Sequence, residues 1–327
     1  MKNSHTVAAV LGIDIAKTSF KVALLRSGKF RHKTFPNTPA GYNALGLWLT
    51  EHQVEPIHAC LEATSHYGDL LAEYLYEQGL RVSVVNPARI KGYAQGELIR
   101  TKTDKSDAAL IARFCEAMHP AAWQPETKEI RVLRAYVRRL ESLIEMRQQE
   151  RNRLEGADAV LLESIQSHIN YLEQEIKQTQ AKINDHIDNH PDLKDKKELL
   201  DSIPGIGQAT INIVLSEIVS IERYKTAKHL ASFIGVAPRL FESGTSVRGR
   251  SRMSKIGRSQ LRKAFFLPAM VALRYNPIIK SFGERLLSTG KTKMQVIGAV
   301  MRKLIHMIYG VLKSGRPFNP DHLSEIA

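Results

Sequence analysis

The stretch that decides the fold is Val7-Ala8-Ala9-Val10-Leu11-Gly12-Ile13-Asp14-Ile15-Ala16-Lys17. An apolar run ending on a carboxylate, followed by alternating Phe20, Val22 and Leu24, predicts two adjacent strands with Asp14 near the end of the first. A third extended piece, Phe30 to Phe35, leads to Asn37-Thr38-Pro39. There a polar cap and a first-turn proline start a helix carrying Tyr42, Leu45, Leu47 and Trp48. Next come a short strand from Ile57 to Leu61 leading into Glu62, a helix from about Tyr67 to Gln78, and a strand from Arg81 to Val85. After the turn Asn86-Pro87 lies a helix headed by Asp104-Lys105-Ser106-Asp107, which runs on through Ala108, Leu110, Ile111, Phe114 and Cys115. Strands that begin as a meander and later alternate with helices predict a mixed sheet with crossover helices, an α/β arrangement.

Four acids fall at the ends of these elements. Asp104 and Asp107 are three residues apart and share one helical face, although first-turn acids are by themselves ordinary helix caps. Asp14 and Glu62 each end an apolar strand, where a buried unpaired charge costs several kcal/mol. Neighbouring strand ends beside a helix start bring Asp14, Glu62, Asp104 and Asp107 together, and hard divalent cations with oxygen ligands relieve their repulsion. Two such ions about 4 Å apart would clamp the attacking and leaving oxygens of a phosphodiester. This order of acids resembles the ribonuclease H-like, RuvC-like nuclease fold over about residues 7 to 118. Gly12-Ile13-Asp14 followed by Lys17 also resembles the first phosphate loop of actin-like sugar kinases and chaperone ATPases, but the second glycine-rich loop those proteins need does not follow. Lys17 and Lys105 are candidate phosphate contacts or solvated charges, and His66 reads as a loop histidine.

A chain of 327 residues exceeds one core and predicts two or three domains. With 47 basic against 33 acidic residues, a net charge of +14, its expected partner is a polyanion, most often nucleic acid. Cys60 and Cys115 lie inside apolar stretches and read as buried thiols of a reducing compartment. No run of about eighteen apolar residues occurs, and Met1 to His5 lack the apolar core of a signal peptide. The expectation is therefore a soluble cytoplasmic protein with no membrane partner.

His119-Pro120 stops the acid-bearing helix, and Pro125 lies in the polar segment after it. From Leu133 the residues Val137, Leu140 and Ile144 keep a four-three spacing, and a second seam runs through Ile165, Ile169, Leu172, Ile176, Thr179 and Ile183. The break near Gly156 to Asp158 separates two long helices that fold back on each other or pair with another subunit. They predict a coiled-coil arm over 121–192, between a sheet domain at 1–120 and a mainly helical domain at 193–327. Arg131, Arg134, Arg138, Arg139, Arg147, Arg151 and Arg153 read equally as nucleic-acid contacts or as a solvated face paired with Glu141, Glu145, Glu150 and Glu155.

In the last third, Ile203-Pro204-Gly205-Ile206-Gly207 between two helices resembles a helix-hairpin-helix motif. Its glycines, Gly205 and Gly207, let backbone N–H groups approach a phosphate at the start of the following helix. Downstream, Phe233-Ile234-Gly235-Val236-Ala237-Pro238 precedes Glu242-Ser243-Gly244-Thr245-Ser246 and then Arg248, Arg250, Arg252, Lys255, Arg258, Arg262 and Lys263, with no acid among them. The basic run is an electrostatic footprint for nucleic acid. Spacing alone makes Ser243 ordinary loop chemistry. From Leu261 to Leu312 the apolar spacing is helical, and its methionines read as core gap-fillers.

The order Asp14, Glu62, Asp104, Asp107, then a coiled-coil arm, Pro-Gly-Ile-Gly, Gly-Val-Ala-Pro and Ser-Gly before arginines, is similar to the DEDD insertion-sequence transposases, the bridge-RNA-guided serine recombinases. The resemblance covers nearly the whole chain. It implies that Asp14, Glu62, Asp104 and Asp107 bind Mg2+, with Mn2+ chemically admissible. It implies that Ser243 attacks DNA to give a covalent phosphoserine link, so strand exchange needs no ATP. It further implies a structured guide RNA pairing with donor and target double-stranded DNA, a homotetramer whose protomers share the acidic and serine sites, and a bacterial protein associated with the nucleoid when active. Two rivals have different needs: a RuvC-like structure-specific nuclease would use water and not Ser243, and a nucleic-acid-binding scaffold would keep the basic surfaces without chemistry.

Overall fold

The computed structural model describes residues 9–52, 56–63, 66–97, 104–218, 220–239, 242–243, 247–248 and 252–320; the side chains of 66, 104–106, 242–243 and 247–248 lie outside the description. The chain divides into two compact units, Met1–Pro125 and Glu126–Ala327.

The first unit is built on a five-stranded sheet in the order β3-β2-β1-β4-β5. Strands β1 (Ala9–Ile15), β2 (Ser19–Arg26) and β3 (Lys29–Pro36) form the antiparallel meander, while β4 (Ile57–Glu62) and β5 (Arg81–Val85) run parallel to β1. The β2–β3 turn places Ser27 and Gly28 at φ 48 and 75°, the left-handed pair that matches the twist of a two-residue hairpin. Side chains alternate across the sheet. One set, including Leu11, Ile13, Val22, Ala59 and Leu61, is buried with α1 (Pro39–Glu51) and α2 (Asp69–Glu77). The other, Val10, Leu25, Cys60 and Val85, is buried with Ile90 of α3 (Pro87–Gly96) and with Ile111, Phe114 and Cys115 of α4 (Asp104–Met118).

Helix α1 starts as its sequence requires, with the Thr38 side chain accepting from the Gly41 amide and Pro39 in the first turn. Helix α3 carries the same signals, Asn86 accepting from Ala88 ahead of Pro87. It buries only Ile90, so no apolar period announces it. The α4 face of the sheet also buries a polar pair. Ser83 Oγ lies 2.8 Å from Ala121 O and 3.2 Å from Pro120 O, and His58 Nε2 lies 2.8 Å from Ser83 Oγ. With the serine proton directed to a carbonyl, His58 donates from Nε2. Burial, then Arg81 and His119, hold its pKa down to about 4, so the ring is neutral.

In the second unit, α5 (Lys128–Glu155) and α6 (Leu162–Asp188) pack along a seam of Leu133, Val137 and Leu140 against Leu172, Ile176 and Ile183. The expected step to Ile144 is corrected: Leu143 is fully buried and Ile144 is 41% exposed. The three-residue step from Leu140 to Leu143 departs from the four-three alternation of a strict heptad, as a local stammer does. The seam is continuous with the core formed by α7 (Pro191–Asp201), α8 (Gln208–Glu217), α9 (Ala227–Ile234), α10 (Ser259–Ala264), α11 (Phe266–Tyr275), α12 (Pro277–Ser288) and α13 (Lys293–Ser314).

The final apolar segment is thus four helices, broken at Phe265, at Asn276-Pro277, where Asn276 caps Ile279, and at Thr292, which forms a reciprocal cap with Gln295. Met301 and Met307 fill the core as expected, but Met270 and Met294 are exposed. Helix α13 is long and apolar enough to cross a membrane by length and composition, yet Val300, Leu304, Ile305 and Ile308 are fully buried in the second unit's core.

Candidate active site

Register places the first two acids. In the parallel β1–β4 ladder Gly12 pairs with Cys60 and Ile13 with Leu61, so Asp14 and Glu62 are the next residues at adjoining strand ends. Asp14 shares a face with Val10 and Gly12, and Glu62 with Cys60; this is the face covered by α4. Both carboxylates are half-buried.

Gly12 brings α4 to them. A Cβ at this position would lie 2.2 Å from Ala108 O and 2.4 Å from Ala112 N, so only glycine admits the helix backbone. Abreast of Gly12, Cys60 hydrogen-bonds Cys115, which with burial pushes the Cys115 thiol up and keeps it protonated. The first turn of α4 therefore abuts the end of the sheet, with Asp107 half-buried next to the seated Ala108 and Asp104 opening the helix. The side chains of Asp104 and Lys105 are outside the described residues. Among the described residues no three His, Cys, Asp or Glu side chains form a metal-holding group. In chemistry the donor set of carboxylate oxygens fits a hard divalent cation.

Lys17 is exposed in the β1–β2 turn, which Ala16 N closes on Ser19 O at 2.9 Å. The lysine that sequence reasoning missed is Lys21. It is the cross-strand partner of Asp14 and is half-buried. Its polar place between Phe20 and Val22 was readable, but which face α4 would cover was not.

The second unit separates the two glycines expected to meet phosphate. Gly205 has φ 101°, and a Cβ there would lie 2.7 Å from Ala272 Cβ, so it packs the turn against α11. Asn276 Nδ2 donates to Pro204 O at 3.2 Å and fixes the same turn. Gly207 is exposed, faces open space and caps α8 without a side-chain bond.

Beyond α9, Pro238–Arg239 (β6) pairs with Arg252–Met253 (β9), enclosing the pairing of Glu242–Ser243 (β7) with Val247–Arg248 (β8). Ser243 stands opposite Val247 in that inner ladder. The side chains of Ser243 and Arg248, and Arg250 altogether, fall outside the described residues. Arg252 and Lys255 are exposed. Arg258 pairs with Glu217 and lies 5.4 Å over the Phe233 ring. Glu217 also collects Arg138 at 3.3 Å and Arg134 at 3.5 Å, and Arg134 further donates to Ser216 O. These arm arginines hold α5 to α8. Burial, then Glu217 and Glu145, raises the Glu141 carboxyl above its usual range.

Residues 11–165 match the DEDD_Tnp_IS110 transposase family, and residues 197–284 match the transposase IS116/IS110/IS902 family. The pilin gene-inverting protein of Moraxella bovis is 36% identical over 313 residues, covering 94% of this chain and 97% of that protein, and its counterpart in Moraxella lacunata matches equally. An insertion element IS110 protein of Streptomyces coelicolor is 29% identical over 160 residues, 49% of this chain and 38% of that protein. DEDD transposase domains typically use divalent metal ions. The chain belongs to the IS110 family of DEDD transposases and is a DNA transposase/recombinase.

Proposed function

We propose that this enzyme is an RNA-guided recombinase that cuts and rejoins donor and target DNA through a phosphoserine link at Ser243. Asp14, Glu62, Asp104 and Asp107 would hold Mg2+ or Mn2+. The observation that carries the reading is the adjoining of Asp14 and Glu62 at parallel strand ends, on the face where Gly12 seats the helix that Asp104 opens.

When bound, the divalent ion supplies a positive field for the charge that builds on the phosphate. The residues of the chain do the rest. The four carboxylates fix where that charge is met, and Gly12 fixes the distance between strand and helix. Ser243 Oγ forms a bond to phosphorus as one P–O ester bond of the strand breaks, and the serine proton ends on the released hydroxyl. Attack by the hydroxyl of the recombining strand reverses these changes and returns the serine, so the phosphodiester energy is conserved and no ATP is consumed. The basic run around Arg248, Arg250, Arg252 and Lys255 would hold the DNA backbone, with Gly207 supplying open amides at the start of α8.

Similarity to pilin gene-inverting proteins along nearly their whole length favours inversion of a DNA segment as one outcome of this strand exchange. Guide RNA pairing would choose the sites, and a tetramer in which different protomers supply serine and carboxylates would couple the cuts. The protein would act in the cytoplasm, on the nucleoid.

The test is a denaturing gel of protein incubated with cognate DNA, the associated RNA and Mg2+. A protein–DNA adduct that is lost in Ser243→Ala and in Asp104→Ala is expected. Cleavage surviving Ser243→Ala but not Asp104→Ala would replace the recombinase with a water-using nuclease. Omitting the RNA should remove site-specific adducts, and adducts of unchanged specificity without it would exclude guidance.

A further inference from the structure

We propose that Lys21 is a phosphate-binding residue of the carboxylate site, holding the reacting phosphodiester beside Asp14. The inference rests on the metal-site reading above and adds to it a residue whose charge is opposite to the rest of the set. Lys21 and Asp14 are directly paired in the antiparallel β1–β2 ladder, so their Cβ atoms are about 4.5–5.5 Å apart and their side chains leave the same face. That face is the one closed by α4, and α4 packs against β2 as well as β1 and β4. Across the sheet the row therefore reads Glu62, Asp14, Lys21, Thr34, which sets Lys21 abreast of the acids. Lys21 is half-buried, as a lysine is when its apolar stem is covered and its charged head keeps contact with water.

Two consequences follow with opposite signs. Without DNA, an ammonium beside carboxylates partly neutralises them and competes with a divalent ion for their field. With DNA present, its three donors meet a phosphate oxygen that the carboxylates themselves would repel. Removing the charge should therefore strengthen metal binding and weaken the reaction together. A lysine that merely stabilised the sheet would change melting temperature and leave metal affinity alone.

The experiment measures Mn2+ binding to the full-length chain without DNA, by calorimetry, and strand cleavage with Mg2+, for the wild type, Lys21→Met, Lys21→Arg and Asp14→Asn. In Lys21→Met we expect Mn2+ to bind roughly tenfold more tightly and cleavage to fall at least about tenfold. Lys21→Arg should lie near wild type on both. Should the methionine variant prove insoluble, Lys21→Gln carries the same expectation. Unchanged or weaker Mn2+ binding in the charge-removed variant, with Asp14→Asn still losing the metal, overturns the role of Lys21 alone. Asp14→Asn that binds Mn2+ like wild type overturns the metal site, and the lysine's role with it.

Discussion

Two glycines, one in each unit, do the same mechanical work by different means, and the contrast shows how each functional region is held. Gly12 lies in a regular strand and meets the backbone of α4 at Ala108 and Ala112; Gly205 lies in a turn at φ 101° and meets Ala272 of α11. The first seats a chemical group by sheet register, so it must resist any displacement. The second shapes a turn whose neighbour, Gly207, is left open. The carboxylate end of the first unit is thus assembled by packing, whereas the turn of the second unit leaves backbone exposed at Gly207.

Gly12→Ala tests the first half most severely. A methyl group 2.2 Å from a backbone oxygen cannot be absorbed by rotating a side chain, so α4 must move. Overpacking of this kind costs about 3 kcal/mol or more, and a shift near 1 Å at the carboxylates should lower strand cleavage about 100-fold. Chemical denaturation and a cleavage assay on the soluble fraction check it; wild-type activity with full stability would break the seating argument. Gly205→Ala should cost less, about 1–2 kcal/mol for the left-handed backbone plus the local push on Ala272. Its effect should appear as lower stability with metal-dependent chemistry intact per folded molecule.

How much of this was legible in the sequence follows from the same contrast. The five strands and the strand-end positions of Asp14 and Glu62 could be read because alternation and apolar runs are local signals. The meander and the crossovers announced a mixed sheet, but the order β3-β2-β1-β4-β5 came from the pairing of β1 with both β2 and β4. Helix α3 was missed because one buried residue, Ile90, leaves no period. Lys21 was missed because facing Asp14 is a property of register, set by a strand partner. In the second unit the turn at 203–207 was readable from proline and glycine, but Gly205 and Gly207 look alike until the neighbour at Ala272 is known. The pairing of Arg258 with Glu217 was not legible either, because the two lie 41 residues apart in the chain.

A smaller effect separates the packing of the first unit from its chemistry. His58 is buried and neutral, with its folded pKa lowered to about 4 by burial and then by Arg81 and His119. The unfolded chain takes up a proton near the ordinary histidine pKa, about 6.5, that the folded chain refuses. Stability contributed by neutral His58 is therefore complete above that value and is lost as pH falls from about 6.5 toward 4. Melting temperatures across this window should fall in the wild type and fall less in His58→Gln. Equal slopes would remove His58 as the source.

Gly207→Ala should give the smallest change in stability and the most selective change in function. At φ −104° and ψ 171° the backbone is open to any residue, and a Cβ there meets nothing within 4 Å. Alanine is a poorer helix start than glycine, so a loss of about 0.5–1 kcal/mol is expected. A methyl group does, however, hold a phosphate away from the first amides of α8, where a helix N-terminus favours an anion. Binding to short duplexes of unrelated sequence should weaken by a similar factor for each, because a backbone contact carries no base information. If affinity is unchanged while Gly205→Ala loses only stability, the turn between α7 and α8 is a packing element and the DNA grip belongs to the basic run alone.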